Sequence, residues 1–390
     1  MKLGEMVSLV RGNTYKSSLL SETDGPVLLG LGSIERGGGF KRGSWKRYPG
    51  YTDIKILLHP GNIYVSLKDL TQSCDLLGAV SRVPDDLPVG RLTQDTVKLE
   101  FNSNVSEQER LYVYWSLRTP QYRAYCKARG TGTTNMSLSR ADFLAWELPP
   151  RSPVRDMLIA LFELIDKKIE LNNQLNGYLE ELADGMFRRH FGGLTDNATL
   201  ADFANVTMGQ SPAGSSYNEA GIGTIFYQGR AEFGWRYPTQ RLSTTEPKRM
   251  AKAGDVLMSV RAPVGDLNLA YEDCCIGRGL AAIHCDYPSY GLYLMRSLHK
   301  KLDAYNGEGT VFGSINGKAL NGLPIALPNN AAIRAFEKEA APIDTQIRNN
   351  EVESRVLVTL RDTLLPKLMS GEIDVSKVDL TQLNSHLADC

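Results

Sequence analysis

The chain holds 390 residues, 42% hydrophobic and 23% charged, and its 44 Lys and Arg balance its 44 Asp and Glu. This fits a globular protein of two or three domains and leaves only local charge to point to nucleic acid. No apolar run reaches the roughly 18–20 residues that cross a membrane, Met1-Lys2-Leu3-Gly4-Glu5 lacks the layout of a secretory signal, and Cys74, Cys126, Cys274, Cys275, Cys285 and Cys390 show neither a CxxC pair nor a metal-ligand spacing with histidine, so free thiols in a reducing cytoplasm are expected.

In chain order, residues 1–150 read as a mixed, Gly-rich part with short β-type runs. Within it, 36–55 carry Arg36, Lys41, Arg42, Lys46, Arg47 and Lys55 against Asp53 alone, with Phe40, Trp45, Tyr48 and Tyr51 between them. Pro60-Gly61-Asn62 reads as a turn into the strand Ile63-Tyr64-Val65. Residues 107–118 read as helix. Gly130-Thr131-Gly132-Thr133-Thr134-Asn135-Met136-Ser137 is a loop whose glycines let backbone approach a phosphate and whose Thr and Asn can bond to it; a plain turn before a strand is the other reading. Pro153, with Ser152 as cap, opens a helix that Gly192-Gly193 stop.

The second half repeats this order. Residues 194–328 are again Gly- and Pro-punctuated. Residues 228–252 carry Arg230, Arg236, Arg241, Lys248, Arg249 and Lys252 against Glu232 and Glu246, with Phe233, Trp235 and Tyr237 among them. Gly254-Asp255 leads into Val256-Leu257-Met258, 290–302 read as helix, and Gly307-Glu308-Gly309-Thr310-Val311-Phe312-Gly313-Ser314 stands where the first Gly-Thr loop stood. Leu3 matches Leu200, Gly61 matches Gly254, Gly132 matches Gly309, and Ile165-Asp166 and Asn172 match Ile343-Asp344 and Asn350. Four matches in one order, with an offset that drifts as loop insertions would make it, indicate a duplicated unit. Basic residues release counterions from phosphates, Arg forks onto guanine, and flat aromatics stack on bases. A basic–aromatic stretch at the same place in both repeats therefore points to nucleic acid, and places Lys46, Arg47 and Arg236 on the binding face; a solvated loop with hydrophobic anchors is the plainer reading. No GxxxxGK[ST] loop and no strand–GxGxxG–helix unit is present.

Steps of four and three along the first helix give Val154, Leu158, Leu161, Ile165, Lys168, Asn172, Leu175, Leu179, Leu182 and Met186, a coiled-coil seam. The second gives Ala332, Phe336, Glu339, Ile343, Gln346, Asn350, Glu353, Leu357, Leu360 and Leu364; Pro342 is expected to kink or delay it, and Pro366 with Gly371 to end it. Each helix leaves the end of its own globular part and cannot bury its stripe alone, so the two are expected to pair antiparallel. A helix of about 38 residues rises roughly 57 Å. Asn172 and Asn350 on the seam would set register at a cost in stability, unless they are surface residues.

In these parts and this order the chain resembles the specificity subunit of type I restriction–modification systems, over nearly its whole length. The resemblance rests on the starts at Leu3 and Leu200, Gly61-Asn62-Ile63 and Gly254-Asp255-Val256, the Gly132 and Gly309 loops, and the entries Pro149-Pro150 and Leu327-Pro328. It implies an α+β chain of two similar α/β target-recognition domains separated by a long antiparallel two-helix coiled coil, with a pseudo-twofold internal repeat: a first recognition domain over 1–150, a spacer helix over 151–192, a second recognition domain over 193–328, a second helix over 329–372 and a tail over 373–390. It further implies that the chain reads a bipartite double-stranded DNA site, one half per domain, and docks two modification subunits that methylate adenine N6, with a translocating restriction subunit able to join. S-adenosylmethionine, Mg2+ and ATP would belong to those partners and no cofactor to this chain. The expected DNA-binding residues are Lys41, Arg42, Lys46, Arg47, Lys68, Thr133, Asn135, Arg230, Arg236, Arg241, Arg261, Thr310 and Phe312. Of these, Lys68 and Arg261 are carried over because a basic residue follows the strand in Ser66-Leu67-Lys68 and Ser259-Val260-Arg261. Helix pairing and docking are expected of Leu158, Leu161, Ile165, Asn172, Leu175, Leu179, Leu182, Ile343, Asn350, Leu357, Leu360 and Leu364.

Catalysis is not expected here. Leu148-Pro149-Pro150-Arg151 lacks both ends of the Asn/Asp-Pro-Pro-Tyr/Phe motif of adenine methyltransferases, Pro84-Asp85-Asp86 has no following ExK of a nuclease, the five histidines are isolated, and no GxSxG is present. Two other readings stay open: a coiled-coil scaffold that binds only protein, which leaves the twin basic stretches unexplained, and a recognition chain serving a fused restriction–modification polypeptide.

Overall fold

A computed structural model describes residues 1–43, 45–133, 135–307 and 313–370, with side chains to 367; the tail expected over 373–390 lies outside these. In chain order the elements are β1 (Val7–Arg11), β2 (Val27–Leu29), β3 (Leu57–Leu58), β4 (Ile63–Ser66), β5 (Lys68–Asp69), β6 (Val80–Arg82), β7 (Gly90–Leu92), β8 (Thr96–Phe101), α1 (Glu107–Ser116), α2 (Pro120–Arg129), β9 (Met136–Ser137), α3 (Arg140–Leu144) and the long α4 (Pro153–Phe191). There follow β10 (Ala198–Thr199), β11 (Asn205–Met208), β12 (Tyr217–Asn218), β13 (Thr224–Tyr227), β14 (Leu242–Thr244), β15 (Met250–Ala251), β16 (Val256–Ser259), β17 (Leu267–Leu269), β18 (Cys274–Ile276), β19 (Leu280–His284), α5 (Pro288–Ser297), α6 (His299–Asp303), α7 (Gly317–Asn321), β20 (Pro324–Ile325) and the second long helix α8 (Asn330–Ser370). No helix among the described residues is long and apolar enough to cross a membrane.

The chain divides into two compact units: Met1–Ile169 with the described residues from Arg355 on, and Glu170–Ser354. In the first unit an antiparallel sheet runs β1-β8-β4-β6. A second sheet runs β2-β7-β3, with β2 parallel and β3 antiparallel to β7. All four residues of β4 are buried because both its faces are covered. Alternate side chains point to opposite faces, so Ile63 and Val65 enter a core with Trp115, Tyr122 and Phe143, while Tyr64 enters a smaller one with Leu29, Leu58 and Leu92. The helices over this sheet start where side chains supply the missing partners of the first N–H groups. Ser106 and Glu109 form a capping box on α1, and Thr119 caps α2, with Pro120 in its first turn.

The second unit repeats this plan. Its antiparallel sheet runs β11-β19-β16-β17, and its other sheet runs β12-β14-β13-β18-β15, with β13 parallel and β15 antiparallel to β18. Here β12 and β14 are additional. Val256 and Met258 of β16 enter the larger core, and Leu257 enters the smaller. The turns before β4 and β16 also agree. Gly61 and Gly254 lie at φ +80° and +90°, the Asn62 carboxamide oxygen accepts from His59 N–H, and the Asp255 carboxylate accepts from Lys252 N–H.

Each long helix contributes to both units. In the first, Leu158, Phe162 and Ile165 of α4 and Leu365 of α8 are in the core, and Arg361 Nη1 donates to Asp166 Oδ1 at 2.5 Å. In the second, Asn172 Nδ2 donates to Glu353 Oε2 at 2.8 Å and Ser354 Oγ at 3.2 Å, and Asn350 Nδ2 donates to Asn176 Oδ1 at 2.8 Å. Further along α4, Phe187 and Phe191 meet Phe336. Rising numbers on α4 thus meet falling numbers on α8, so in this unit the helices run antiparallel.

The buried row corrects the expected seam. Leu158, Ile165 and Asn172 are buried, but the alternate positions are Phe162, Asn176 and Ala183, one residue later than expected. Leu175 and Leu182 are 43% and 53% exposed. On α8, Phe336 and Asn350 are buried together with Ile333, Ala340, Ile347 and Ser354, and Leu360 is 44% exposed. Leu161, Ile343, Leu357 and Leu364 pack at core margins, and Leu179 is half-buried. Residues i+3 and i+4 both flank a given helical residue, on either side of its row; the buried row takes i+4 after Leu158 where the expected one took i+3. α8 also runs through Pro342 and Pro366 to Ser370. Proline removes one N–H donor, but Ala340 and Ile347, both fully buried, hold α8 on either side of the exposed Pro342.

Candidate nucleic-acid interface

Two sequence features distant in the chain meet in the same way in each unit. After β4 the chain continues into β5, where Lys68 pairs with Ser137 of β9, and Leu138 N–H donates to Leu67 O at 2.9 Å. After β16, Arg261 pairs with Ser314, and Ile315 N–H donates to Val260 O at 3.1 Å. The basic residue that follows the central strand is thus joined to the serine that closes the Gly-Thr loop, twice over. Asp69, next to Lys68, fastens the turn that follows. Burial by itself would raise its carboxyl, but Leu76 N–H and Thr71 outweigh that and hold it below the usual carboxylate range.

The first Gly-Thr loop is built on Gly132 at φ +129°, where a Cβ would lie 2.1 Å from Asn135 O. Thr133 and Asn135 are exposed, and Thr133 O accepts from Gln72 Nε2 at 2.7 Å. Gly132→Ala is expected to cost about 1–3 kcal/mol through forced backbone rearrangement, read as a lower denaturant midpoint; an unmoved midpoint would show that the loop opens freely. Thr310 and Phe312 lie outside the described residues.

The basic stretch of the first unit separates into anchors and exposed cations. Tyr48 is buried and lies 4.8 Å from the guanidinium of Arg91, which is itself buried and donates to Thr14 O at 2.9 Å. Phe40 and Trp45 pack against the smaller core. Arg42 grips Asp86 with two hydrogen bonds of 2.8 and 3.0 Å and holds that carboxyl below its ordinary range. Arg47 is half-buried and donates to Gly25 O at 3.1 Å. Lys41 and Lys46 are exposed and make no ion pair among the described residues, and Tyr51 is 91% exposed.

In the second unit Arg230 pairs with Asp266, and Arg241 with Glu232 at 2.6 Å; both arginines remain about half exposed. Arg236 corrects the sequence reading: it is 3% exposed and does not lie on a binding face. Its guanidinium reaches Glu180 of α4 at 3.4 Å and Asp344 of α8, and Tyr293 Oη donates to the same Asp344 oxygen at 3.0 Å. Burial would lower its affinity for the proton, but Asp344 more than offsets this. Among the cations that face outward are Lys248, Arg249 and Lys252 of the basic stretch, Arg261 at the strand end, and Arg278, for which the sequence offered no signal. Trp235 is 51% exposed. No group of three His, Cys, Asp or Glu placed to hold a metal exists among the described residues.

Over 298 residues, 70% of this chain and 70% of the relative, the chain is 30% identical to the protein assigned as the type I restriction enzyme MjaX specificity subunit of Methanocaldococcus jannaschii. It is 22% identical over 301 residues to the HindI specificity subunit of Haemophilus influenzae, covering 71% of this chain and 64% of that one. The crystal structure of the type I restriction–modification S subunit of M. genitalium superposes with a TM-score of 0.55 at 16% identity, over 94% of this chain and 95% of that one. No family model matches. The chain belongs to the specificity subunits of type I restriction enzymes.

Proposed function

We propose that this chain reads a bipartite duplex DNA site, one half per unit, and docks the adenine-N6 methyltransferase subunits that act on it. The single observation that carries this is the twice-built junction of a basic residue with a Gly-Thr loop, Lys68 with Ser137 and Arg261 with Ser314, each in a unit that also presents exposed lysines or arginines. Phosphate contacts supply affinity and position, while side chains on the surrounding loops reach base edges. On this reading Lys41, Lys46 and Tyr51 face DNA from the first unit, and Arg230, Arg241 and Trp235 from the second. The antiparallel coiled coil of α4 and α8 sets the unread gap between half-sites. S-adenosylmethionine, Mg2+ and ATP belong to the partner subunits, including a restriction subunit where one is present.

Docking has its own support. The outward face of α4 carries Met157 and Leu164 in the first unit and Leu171, Leu175, Tyr178 and Leu182 in the second, all exposed. Seven residues separate Met157, Leu164 and Leu171, and steps of four, three and four lead on to Leu182, the heptad spacing of a row awaiting a second helix. Methylome sequencing of a host carrying this chain and its partner gives the site. A gel-shift of the reconstituted complex at moderate salt should then show that duplex bound at least tenfold more tightly than a scrambled one. Equal binding would leave the protein-only scaffold.

A further inference from the structure

We propose that the end of the four-stranded sheet in the first unit is a site for one DNA backbone phosphate, formed by Arg11, Lys68 and Arg140 and indifferent to base sequence. The inference rests on the DNA-reading function proposed above and adds an interaction that neither basic stretch contains. Arg11 ends β1, Lys68 opens β5 and Arg140 opens α3, and the three line one open cleft of about 150 Å³ together with Gln94, Asp95 and Ser137. Three cations there face one carboxylate. Asp95 meets Lys68 Nζ at 2.8 Å, Arg11 Nε donates to Gln94 O at 3.4 Å, and Arg140 makes no ion pair among the described residues. Arg11 and Arg140 are exposed, and Arg11 meets the fold through that one long hydrogen bond. Both arginines carry donors that no carboxylate among the described residues meets, and Ser137 adds a hydroxyl; a tetrahedral dianion or a diester phosphate is the ligand such a set accepts.

The second unit places charge at the same point by other residues. Gly12 and Gly209 N–H donate to Thr96 O and Leu280 O respectively, which fixes the equivalence of the two sheet ends. At the second end Val260 N–H donates to Gly279 O, bringing the exposed Arg261 and Arg278 to one strand end. Cationic character is therefore kept where the sequence changes, whereas the loops that would read bases differ in length and in partners. That contrast separates an interaction common to all DNA from those that select it.

The experiment uses the full chain in its assembled complex, with two duplexes of equal length: one carrying both half-sites from the methylome, the other scrambled. For Arg11→Gln/Arg140→Gln, binding to both duplexes should weaken by the same factor. At 0.1 M salt that factor is about tenfold for each arginine replaced, and the slope of log affinity against log salt falls by about 1 for each. An unchanged melting temperature checks the fold. If the wild type discriminates the duplexes but the variant keeps its affinity and slope, the phosphate site is wrong and the DNA-reading function stands. A variant that loses discrimination would make these residues base readers and also overturn the site. A wild type that does not discriminate the duplexes overturns the function itself, and this inference with it.

Discussion

Arg236→Met is expected to destabilise the second unit by about 3–5 kcal/mol, the cost of breaking a buried ion pair by removing one partner. In the native unit this guanidinium, 3% exposed, stands between Glu180 and Asp344. Without it, among the described residues, Asp344 keeps the Tyr293 hydroxyl at 3.0 Å, and Glu180 keeps Arg296 at 2.6 Å. A double variant, Arg236→Met with Asp344→Asn, removes the orphaned charge and should recover part of the loss. Denaturant unfolding followed by far-UV circular dichroism measures both. A single variant within 1 kcal/mol of the wild type would mean that the carboxylates are hydrated rather than held by Arg236. Because Leu269 N–H donates to Arg236 O at 2.8 Å, the same residue also fastens the basic stretch to β17. Loss of affinity in this variant should accordingly track loss of folded protein.

The second large effect is expected at Phe336, where Phe336→Ala should cost about 3–5 kcal/mol. The ring is fully buried, with the centroids of Phe187, Phe191, Tyr293 and Tyr290 at 5.5, 5.6, 6.0 and 6.3 Å. Its truncation takes the ring away from all four and leaves a cavity at the joint of both long helices with α5. Leu182→Ala, by contrast, should change stability by under about 0.5 kcal/mol, as an exposed site does, while weakening co-purification with the modification subunit. If both substitutions shift the unfolding midpoint equally, Leu182 belongs to the interior and the outward row is misassigned.

These two residues show what sequence could and could not convey. Phe336 stands on the expected heptad row and is where that row says it should be. Leu182 stands on the same kind of row and is not, because a four-and-three spacing admits two rows that share alternate positions. The row the partner helix chose has Asn176 and Ala183 in place of Leu175 and Leu182, but Ile169 in place of Lys168, so counting apolar residues does not separate the two rows. Charge was legible as charge, but its use was not. Asp344 and Glu180 lie 108 and 56 residues from Arg236, and Asp86 lies 44 from Arg42, so nothing local told a bound cation from an open one. The turns at Gly61 and Gly254 were legible because their chemistry is local: a left-handed glycine followed by a side chain that caps its own turn. Helix α2 was missed: Pro120 opens it, but Tyr122 and Cys126 are its only buried side chains and mark its inner face too sparsely for periodicity to show.

The asparagines between α4 and α8 carry one more implication. Sliding α8 by one heptad, about 10.5 Å along its axis, would bring Ile343 opposite Asn176 in place of Asn350. Two carboxamides would then sit against hydrocarbon, at about 1–3 kcal/mol for each abandoned polar group. The pairing in this unit therefore has one notch rather than a sliding scale. A length measured by these helices would change by inserted or deleted turns, in discrete increments, and not by gradual drift.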